Sequence, residues 1–231
     1  MPLFFLVPEI TPTSKPLSEA VRAGFKELMS TLKKLPQEKN ILLYLFSHMI
    51  YTDGLNTLFA FGGIYAAGTY GLSFEQVLLF GITMNIAAGI GAMLLGWVDD
   101  YLGSKLTVFV SLICLTILGL PLLFLHDKYV FWCVALVLCL FVGPVQSASR
   151  SLMVRLIAEK GMSAEMFGLY SLSGKITAFI GPWLLGMMTM LFASQRVGMA
   201  TVLVFFFIGA LLLIPVKVRD TAFHPGEAAG T

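Results

Sequence analysis

The first residues that could carry chemistry are ionisable and amide side chains inside an apolar run. Asp53 and Asn56 lie near the middle of the run that begins at Ile41, and His48 lies about one helical turn before Asp53. A charged side chain near the centre of a bilayer costs about 3 kcal/mol or more, so it pairs or lines a cavity. Asp53 could therefore bind a proton or a solute cation, or form a structural ion pair. His48 could join that site or be an interfacial histidine with no ligand.

Lys175, within the sequence SLSGK, is the cation that we expect opposite Asp53. It lies within a turn or two of the start of a later apolar run, so its ammonium could instead extend to the membrane interface. If the two residues meet, a solute or a proton replaces an internal ion pair, which costs less than burying a new charge. Exchanging the two charges, Asp53→Lys with Lys175→Asp, tests this pairing.

Gln146 and Arg150 lie four residues apart and so share one face of a helix. The Arg150 guanidinium could hold a solute carboxylate through two parallel hydrogen bonds. It could also pair with Glu165 or Asp100, and we expect this structural pair.

A stripe of small residues with one amide follows the second apolar run at helical spacing: Gly81, Asn85, Ala88, Ala92 and Gly96. Small residues at this spacing favour close packing of helices in membranes. Asn85 is the member that could face a solute cavity instead.

Gly54 follows Asp53, and we expect the helix to be interrupted at this pair. Glycine disfavours a helix by about 1 kcal/mol relative to alanine, and aspartate is unfavourable against lipid. Carbonyl groups freed there could join Asp53 and Asn56 in binding a substrate ammonium, while Lys175 or Arg150 holds a carboxylate. Such a site would suit a zwitterion such as an amino acid.

Composition indicates that these residues lie in a membrane. The 231 residues are 58% hydrophobic and only 12% charged, whereas a soluble domain carries about 25% charged residues. A larger core cannot absorb the difference, because a chain of this length keeps most residues near its surface. The predicted fold class is therefore all-α, a polytopic bundle of transmembrane helices, and soluble classes are excluded.

Six stretches are long and apolar enough to cross a hydrocarbon core of about 30 Å: 41–67, 73–97, 106–125, 130–146, 167–191 and 197–215. They predict a six-helix transmembrane domain over residues 41–216. Residues 1–40 are predicted to form an N-terminal stub and an amphipathic connector helix, and residues 217–231 a disordered tail. The first nine residues have the composition of the end of a preceding spanning helix, which would suit a split gene or a truncation.

Lysine and arginine are distributed unequally between the two sides of this predicted bundle. Twelve lie on the side of the termini and two on the other side. Cytoplasmic loops of membrane proteins are enriched in these residues. We therefore expect a multi-pass protein of a bacterial inner membrane, with both termini in the cytoplasm.

The segment GWVDDYLGSK, which ends at residue 105, resembles the loop signature of the major facilitator superfamily. In that superfamily the motif is a latch that holds one conformation of the transport cycle. The resemblance assigns this role here to four residues: Gly96, Asp100, Gly103 and Lys105. Positions 101 and 104 lack the basic residues that are common in the superfamily.

Four further polar islands resemble the C-terminal half of the UMF1/Atg22-like branch of that superfamily: YTDGLNT (51–57), QSASRSL (146–152), EMFGLYSLSGK (165–175) and IGP (180–182). They recur in order, between spans of the expected length, over nearly the whole chain. The resemblance implies a secondary active transporter and, for the vacuolar members, efflux of amino acids. It also implies half of the superfamily fold, built as a 3+3 inverted repeat.

One six-helix half cannot enclose a central site. Our leading hypothesis is a transporter half that moves a small solute, with amino acids as a candidate and protons as a possible coupling ion. A homodimer or a separate six-helix half would complete the site within the lipid bilayer. The alternative is a non-transporting scaffold or regulatory protein, or a truncated fragment, derived from a transporter. The sequence shows no phosphate-binding loop and no metal-ligand spacing, so we expect no enzyme, no cofactor and no nucleic-acid partner.

Overall fold

A computed structural model describes residues 38–158 and 164–218 of the chain. It contains seven helices over these residues: α1 (Lys39–Tyr70), α2 (Phe74–Leu102), α3 (Ser104–Leu122), α4 (Lys128–Ala158), α5 (Ala164–Ile176), α6 (Ile180–Phe192) and α7 (Gln195–Leu213). The all-α class is thereby confirmed. The predicted connector helix and nearly all of the predicted tail lie outside the described residues.

Five stretches of the described chain are long and apolar enough to cross a membrane: Phe74–Leu102, Ser104–Leu122, Lys128–Ile157, Met166–Phe192 and Gln195–Leu213. The first predicted span, α1, is not among them although it has 32 residues. Polar side chains such as Asp53 and Asn56 lower its hydropathy. The count of six spans and the inverted repeat therefore stay predictions.

The first helix is continuous from Lys39 to Tyr70, which corrects the interruption predicted at Asp53 and Gly54. Gly54 instead allows α7 to pack closely against α1. A β-carbon at this position would lie 3.0 Å from Cβ of Phe205 and 3.1 Å from the ring of Phe206. The glycine therefore serves contact between helices, and the helix hydrogen bonds continue past it.

The interruption lies in the fifth predicted span, between α5 and α6. Residues 177–179 form a turn, in which the N–H groups of Ala178 and Ile180 donate to carbonyls three residues back, at 3.3 and 2.8 Å. Pro182 explains the break, because proline lacks an N–H and its ring collides with the carbonyl four residues earlier in a continuous helix. The fifth span is thus a pair of half-helices.

The helices α2 and α4 cross in direct backbone contact. A β-carbon at Gly91 would overlap the carbonyl oxygen of Leu140, and one at Gly143 would overlap the carbonyl oxygen of Ala88. Small residues permit this approach in membrane helices. Gly96, which we expected to permit close packing, has no described atom within 4 Å of a β-carbon built there, so it does not serve this contact.

Candidate functional site

A polar cavity of about 460 Å³ lies where α1, α4 and α5 meet. Five of the seven predicted binding residues line it: His48, Asn56, Gln146, Arg150 and Lys175. The helix α4 continues past Gln146, the predicted end of the fourth span, to Ala158, so Gln146 and Arg150 lie on one helix. Packing of three helices, rather than proximity in sequence, assembles the cavity.

Four of these lining side chains are exposed although they lie within apolar stretches: Asn56, Gln146, Arg150 and Lys175. Elsewhere the exposed surface of the spans carries large apolar side chains such as Ile86, Met93 and Phe207, which suit lipid. Exposed amides and cations do not suit hydrocarbon. This face of the bundle therefore requires water or another polar surface opposite it.

Tyr51 and Ser149 form a hydrogen-bonded wall of the cavity between α1 and α4. The Ser149 hydroxyl donates to the carbonyl of Val145 in its own helix, so Tyr51 donates its hydroxyl hydrogen to Ser149 Oγ, at 2.7 Å. Tyr44 donates to the Ser149 carbonyl at 2.6 Å. The donors of this wall are thus already used within it.

His48 is held between α1 and α5 by a second set of hydrogen bonds. Its Nδ1 lies 2.9 Å from Ser173 Oγ, and Ser173 donates its hydrogen to the carbonyl of Tyr170 at 2.7 Å. Because a serine hydroxyl has one hydrogen, His48 must donate through Nδ1, and Nε2 is then the acceptor of the neutral ring. The ring also packs against Tyr170, with centroids 4.1 Å apart. These contacts leave His48 only 5% exposed.

The amide and cationic groups of the lining differ from this wall, because their donors are not used. Asn56, Gln146, Arg150 and Lys175 form no hydrogen bond or ion pair with another described residue. The described lining contains no Asp or Glu, so the charged side chains that line the cavity are the cations Arg150 and Lys175. Over residues 38–158 and 164–218, no group of three His, Cys, Asp or Glu side chains could hold a metal ion.

Asp53 does not line this cavity; its carboxylate caps the second half-helix. It is 2% exposed, and its Oδ2 accepts the N–H of Gly181 in the first turn of α6 at 2.8 Å. Its Oδ1 is buried without a hydrogen-bond partner among the described residues. A carboxylate is stabilised at a helix N-terminus. This contact corrects the expected ion pair with Lys175, because a backbone N–H takes the place of the ammonium.

The ion pair of the described chain joins Asp99 of α2 to Arg155 of α4, with Nη2 and Oδ1 4.0 Å apart. The same guanidinium nitrogen lies 3.4 Å from the Asp99 carbonyl oxygen. We expected Asp100 in the latch, and either Asp100 or Glu165 as a partner of Arg150. Asp100 is exposed and forms no ion pair with a described residue, and the side chain of Glu165 lies outside the described part of the chain. Neighbouring helical residues point about 100° apart, and Asp99 is the one that faces α4.

Two other residues of the predicted latch have defined structural contacts. Gly103 alone links α2 to α3, with a φ of 87° that side chains rarely adopt, so this position requires glycine. Lys105 Nζ donates to the carbonyl of Ile214 at 2.8 Å, which ties the start of α3 to the end of α7.

Asn85, the last of the predicted binding residues, lies at a separate apolar cavity of about 220 Å³. Its Nδ2 donates to the carbonyl of Gly81 in the same helix at 2.8 Å. The prediction that it could face the solute cavity is therefore corrected, because no residue of α2 lines the cavity of α1, α4 and α5.

Sequence analysis missed the aromatic residues that organise the cavity. Tyr51 and Tyr170 line the cavity, and Tyr44 donates a hydrogen bond to the carbonyl of Ser149, another lining residue. A signal was available, because Tyr44, His48 and Tyr51 recur at spacings of four and three, which is one face of a helix. Tyrosines in an apolar run are also typical of an ordinary core, so the spacing alone did not identify a site.

Known proteins resemble this chain over most of its length. A profile of the family described as "Vacuole effluxer Atg22 like" matches residues 1–222. A Bacillus subtilis (strain 168) protein named "Uncharacterized MFS-type transporter YxiO" is 23% identical over 206 residues, which are 89% of this chain and 46% of that protein. "Autophagy-related protein 22" of Pichia angusta is 31% identical over 175 residues, 71% of this chain and 31% of that protein. The chain thus spans less than half the length of these two relatives.

Proposed function

The chain belongs to the vacuole effluxer Atg22-like branch of the major facilitator transporters, and on that premise we propose that it forms one side of a solute pathway through a membrane. One observation carries the proposal: exposed amides and cations surround the polar cavity of α1, α4 and α5. A transporter needs such polar groups in its interior, whereas a lipid-facing surface excludes them.

We propose that a second six-helix unit covers this face. The support is that the polar face needs a polar surface opposite it, and that the chain spans 46% and 31% of the two relatives described above. The second unit would be another copy in a homodimer, related by an axis along the membrane normal, or a separate half. Either arrangement would enclose the cavity between two halves.

The broken fifth span gives the proposed transport cycle a movable element. The half-helix α6 is tied to α1 through the carboxylate of Asp53 and the N–H of Gly181. A proton on the unpartnered Oδ1 would remove the charge from this hydrogen bond and weaken it, since charge-assisted hydrogen bonds are about twice as strong as neutral ones. Asp53 is therefore our proposed ion-binding residue. The ion pair of Asp99 and Arg155, with Gly103 and Lys105, would form the latch.

We propose that the solutes are amino acids and that the protein moves them by efflux. The family description contains the word "effluxer", and a cavity of about 460 Å³ lies within the size range of small-molecule sites. We propose that both termini lie in the cytoplasm, and the excess of Lys and Arg on their side of the predicted bundle supports this. The bacterial inner membrane is the proposed location.

Reconstitution of the full chain into proteoliposomes tests the proposal. Uptake of a radiolabelled amino-acid mixture and the internal pH would be followed together. Two exposed amides provide matched variants, because Asn56 lines the polar cavity and Asn85 does not. Loss of one hydrogen bond of about 0.5–1.5 kcal/mol predicts an initial rate about 2- to 10-fold lower for Asn56→Ala. Asn85→Ala should transport like the wild type.

The same experiment can reject the proposal. If neither amino acids nor protons move, with wild type and Asp53→Asn alike, the chain is not a transporter under these conditions. If Asn56→Ala and Asn85→Ala lower the transport rate equally, transport does not depend on the polar cavity. A scaffold or regulatory role would then be the better account.

A further inference from the structure

We propose that the cavity of α1, α4 and α5 recognises its solute through a carboxylate bound by Arg150 and Lys175, and that the described lining of this cavity offers no acidic group for a solute cation. The inference deepens the proposed function and rests on it, because it assumes that this cavity is the solute pathway.

The lining groups differ in whether their hydrogen-bond donors are available to a ligand. The hydroxyl hydrogens of Tyr51 and Ser149 and the Nδ1–H of His48 are used in hydrogen bonds within the wall. Arg150 and Lys175 have no described hydrogen-bond partner and no described carboxylate within 4.0 Å. Together they offer eight N–H donors, five from the guanidinium and three from the ammonium. A ligand rich in oxygen acceptors matches this lining.

The charged side chains of the described lining are both cations. Arg150 from α4 and Lys175 from α5 line one cavity, and the described lining holds no Asp or Glu. Two like charges beside a cavity raise its electrostatic free energy, and a bound anion lowers it. A neutral solute of the same shape would leave both charges unpaired. The cavity therefore favours an anion over the matched amide.

Asp53 is the acidic residue nearest in sequence to the residues of α1 that line the cavity. Asp53 is buried, and its Oδ2 already accepts the N–H of Gly181. It does not line the cavity. The ammonium of an amino acid would consequently be bound by the second unit or by water, and carboxylates that lack an ammonium should also bind here.

A rival reading uses the same two cations differently. Arg150 and Lys175 could be held by acidic residues of the second six-helix unit, so that they join the two units and bind no solute. The two readings predict different behaviour when one cation is neutralised. A solute site loses affinity for carboxylates, whereas a joint between units loses assembly.

Two pairs of small molecules, each matched in shape, separate an anion from a neutral ligand: phenylacetate with phenylacetamide, and butyrate with butyramide. The midpoint of thermal unfolding of the detergent-solubilised full chain would be measured against the concentration of each, at constant ionic strength. Light scattering would give the mass of the assembly. The variants are Arg150→Gln, Arg150→Lys and Lys175→Gln, with Lys128→Gln at the other end of α4 as a control.

We expect at least one carboxylate to raise the midpoint in a saturable way, and its amide to have no effect. Loss of a charged hydrogen bond predicts a Kd about tenfold or more weaker in Arg150→Gln and Lys175→Gln. Arg150→Lys should lie between these variants and the wild type, because it keeps the charge and loses the paired hydrogen bonds. Lys128→Gln should bind like the wild type.

Equal shifts with acid and amide, or no shift with either carboxylate, would overturn the inference. Loss of assembly in Arg150→Gln and Lys175→Gln without any effect of carboxylates would also overturn it, in favour of the rival reading. Selective binding of carboxylates by a chain that fails to transport would reject the proposed function and leave the anion site standing. Transport without selective binding of carboxylates would reject the anion site and leave the proposed function standing.

Discussion

The crossing of α2 and α4 can be tested by a single methyl group. Gly91→Ala should destabilise the protein, whereas Gly89→Ala, on the same helix, should not. A β-carbon at Gly91 would overlap the backbone carbonyl of Leu140, while one at Gly89 has no described atom within 4 Å. The two substitutions are otherwise chemically identical.

The expected magnitudes follow from two opposing effects. Alanine in a helix interior is more stable than glycine by about 1 kcal/mol, and this gain applies at both positions. Overpacking costs about 1–3 kcal/mol, and the upper part of this range applies at Gly91 because a backbone carbonyl cannot rotate aside. The net loss at Gly91 is then about 1–2 kcal/mol, so the two variants should differ by about 2–3 kcal/mol.

Equilibrium unfolding in mixed micelles with increasing SDS would measure these differences. Gly143→Ala serves as a second test of the crossing, because its methyl group would overlap the carbonyl of Ala88 on the opposite helix. It lies one turn before Gln146, so it should also weaken solute transport. Equal stability of the Gly91→Ala and Gly89→Ala variants would refute the backbone contact.

Three other predictions use the same unfolding measurement. Asp53→Ala leaves the N–H of Gly181 without its acceptor and should cost about 1–3 kcal/mol, while Asp53→Asn keeps an acceptor oxygen and should cost less. The double variant Asp53→Lys with Lys175→Asp should be no more stable than expected from the two single variants. A coupling energy above about 0.5 kcal/mol would show instead that the two residues form an ion pair. Asp99→Asn should lower the free energy of unfolding by about 0.2–1 kcal/mol, because it weakens the contact with Arg155. Asp100→Asn should leave stability unchanged, because Asp100 is exposed. A larger loss in Asp100→Asn than in Asp99→Asn would show that Asp100 is the latch residue.

The helical class and most members of the site could be predicted because both depend on residue type. Low charge and long apolar runs indicate spanning helices whatever their arrangement. Amides and cations in or beside such runs, such as Gln146 and Arg150, are expected to face a polar region, but their meeting at one cavity depends on how α1, α4 and α5 pack. Lys175 and Asn56 follow the same rule.

The contacts of Asp53 could not be predicted, because its partner is a backbone group. From sequence alone, a carboxylate is expected to pair with a cationic side chain, and Lys175 is a cation that lies within a predicted span. The structure pairs it with the N–H of Gly181, which becomes free only because Pro182 ends the preceding helix. The prediction for Gly54 was wrong for a related reason, because the role of this glycine depends on its contact with Phe206, which lies far away in sequence.

Accessibility of position 146 from the two sides of the membrane tests the central claim most directly, because it requires no knowledge of the solute. Gln146→Cys would be placed in a chain whose three native cysteines are replaced by serine, and Ile86→Cys on the apolar surface would be its control. A membrane-impermeant maleimide would be added to right-side-out and to inside-out vesicles. A solute pathway open alternately to each side predicts labelling at position 146 in both preparations and none at position 86. Labelling from one side alone, or from neither, would contradict it.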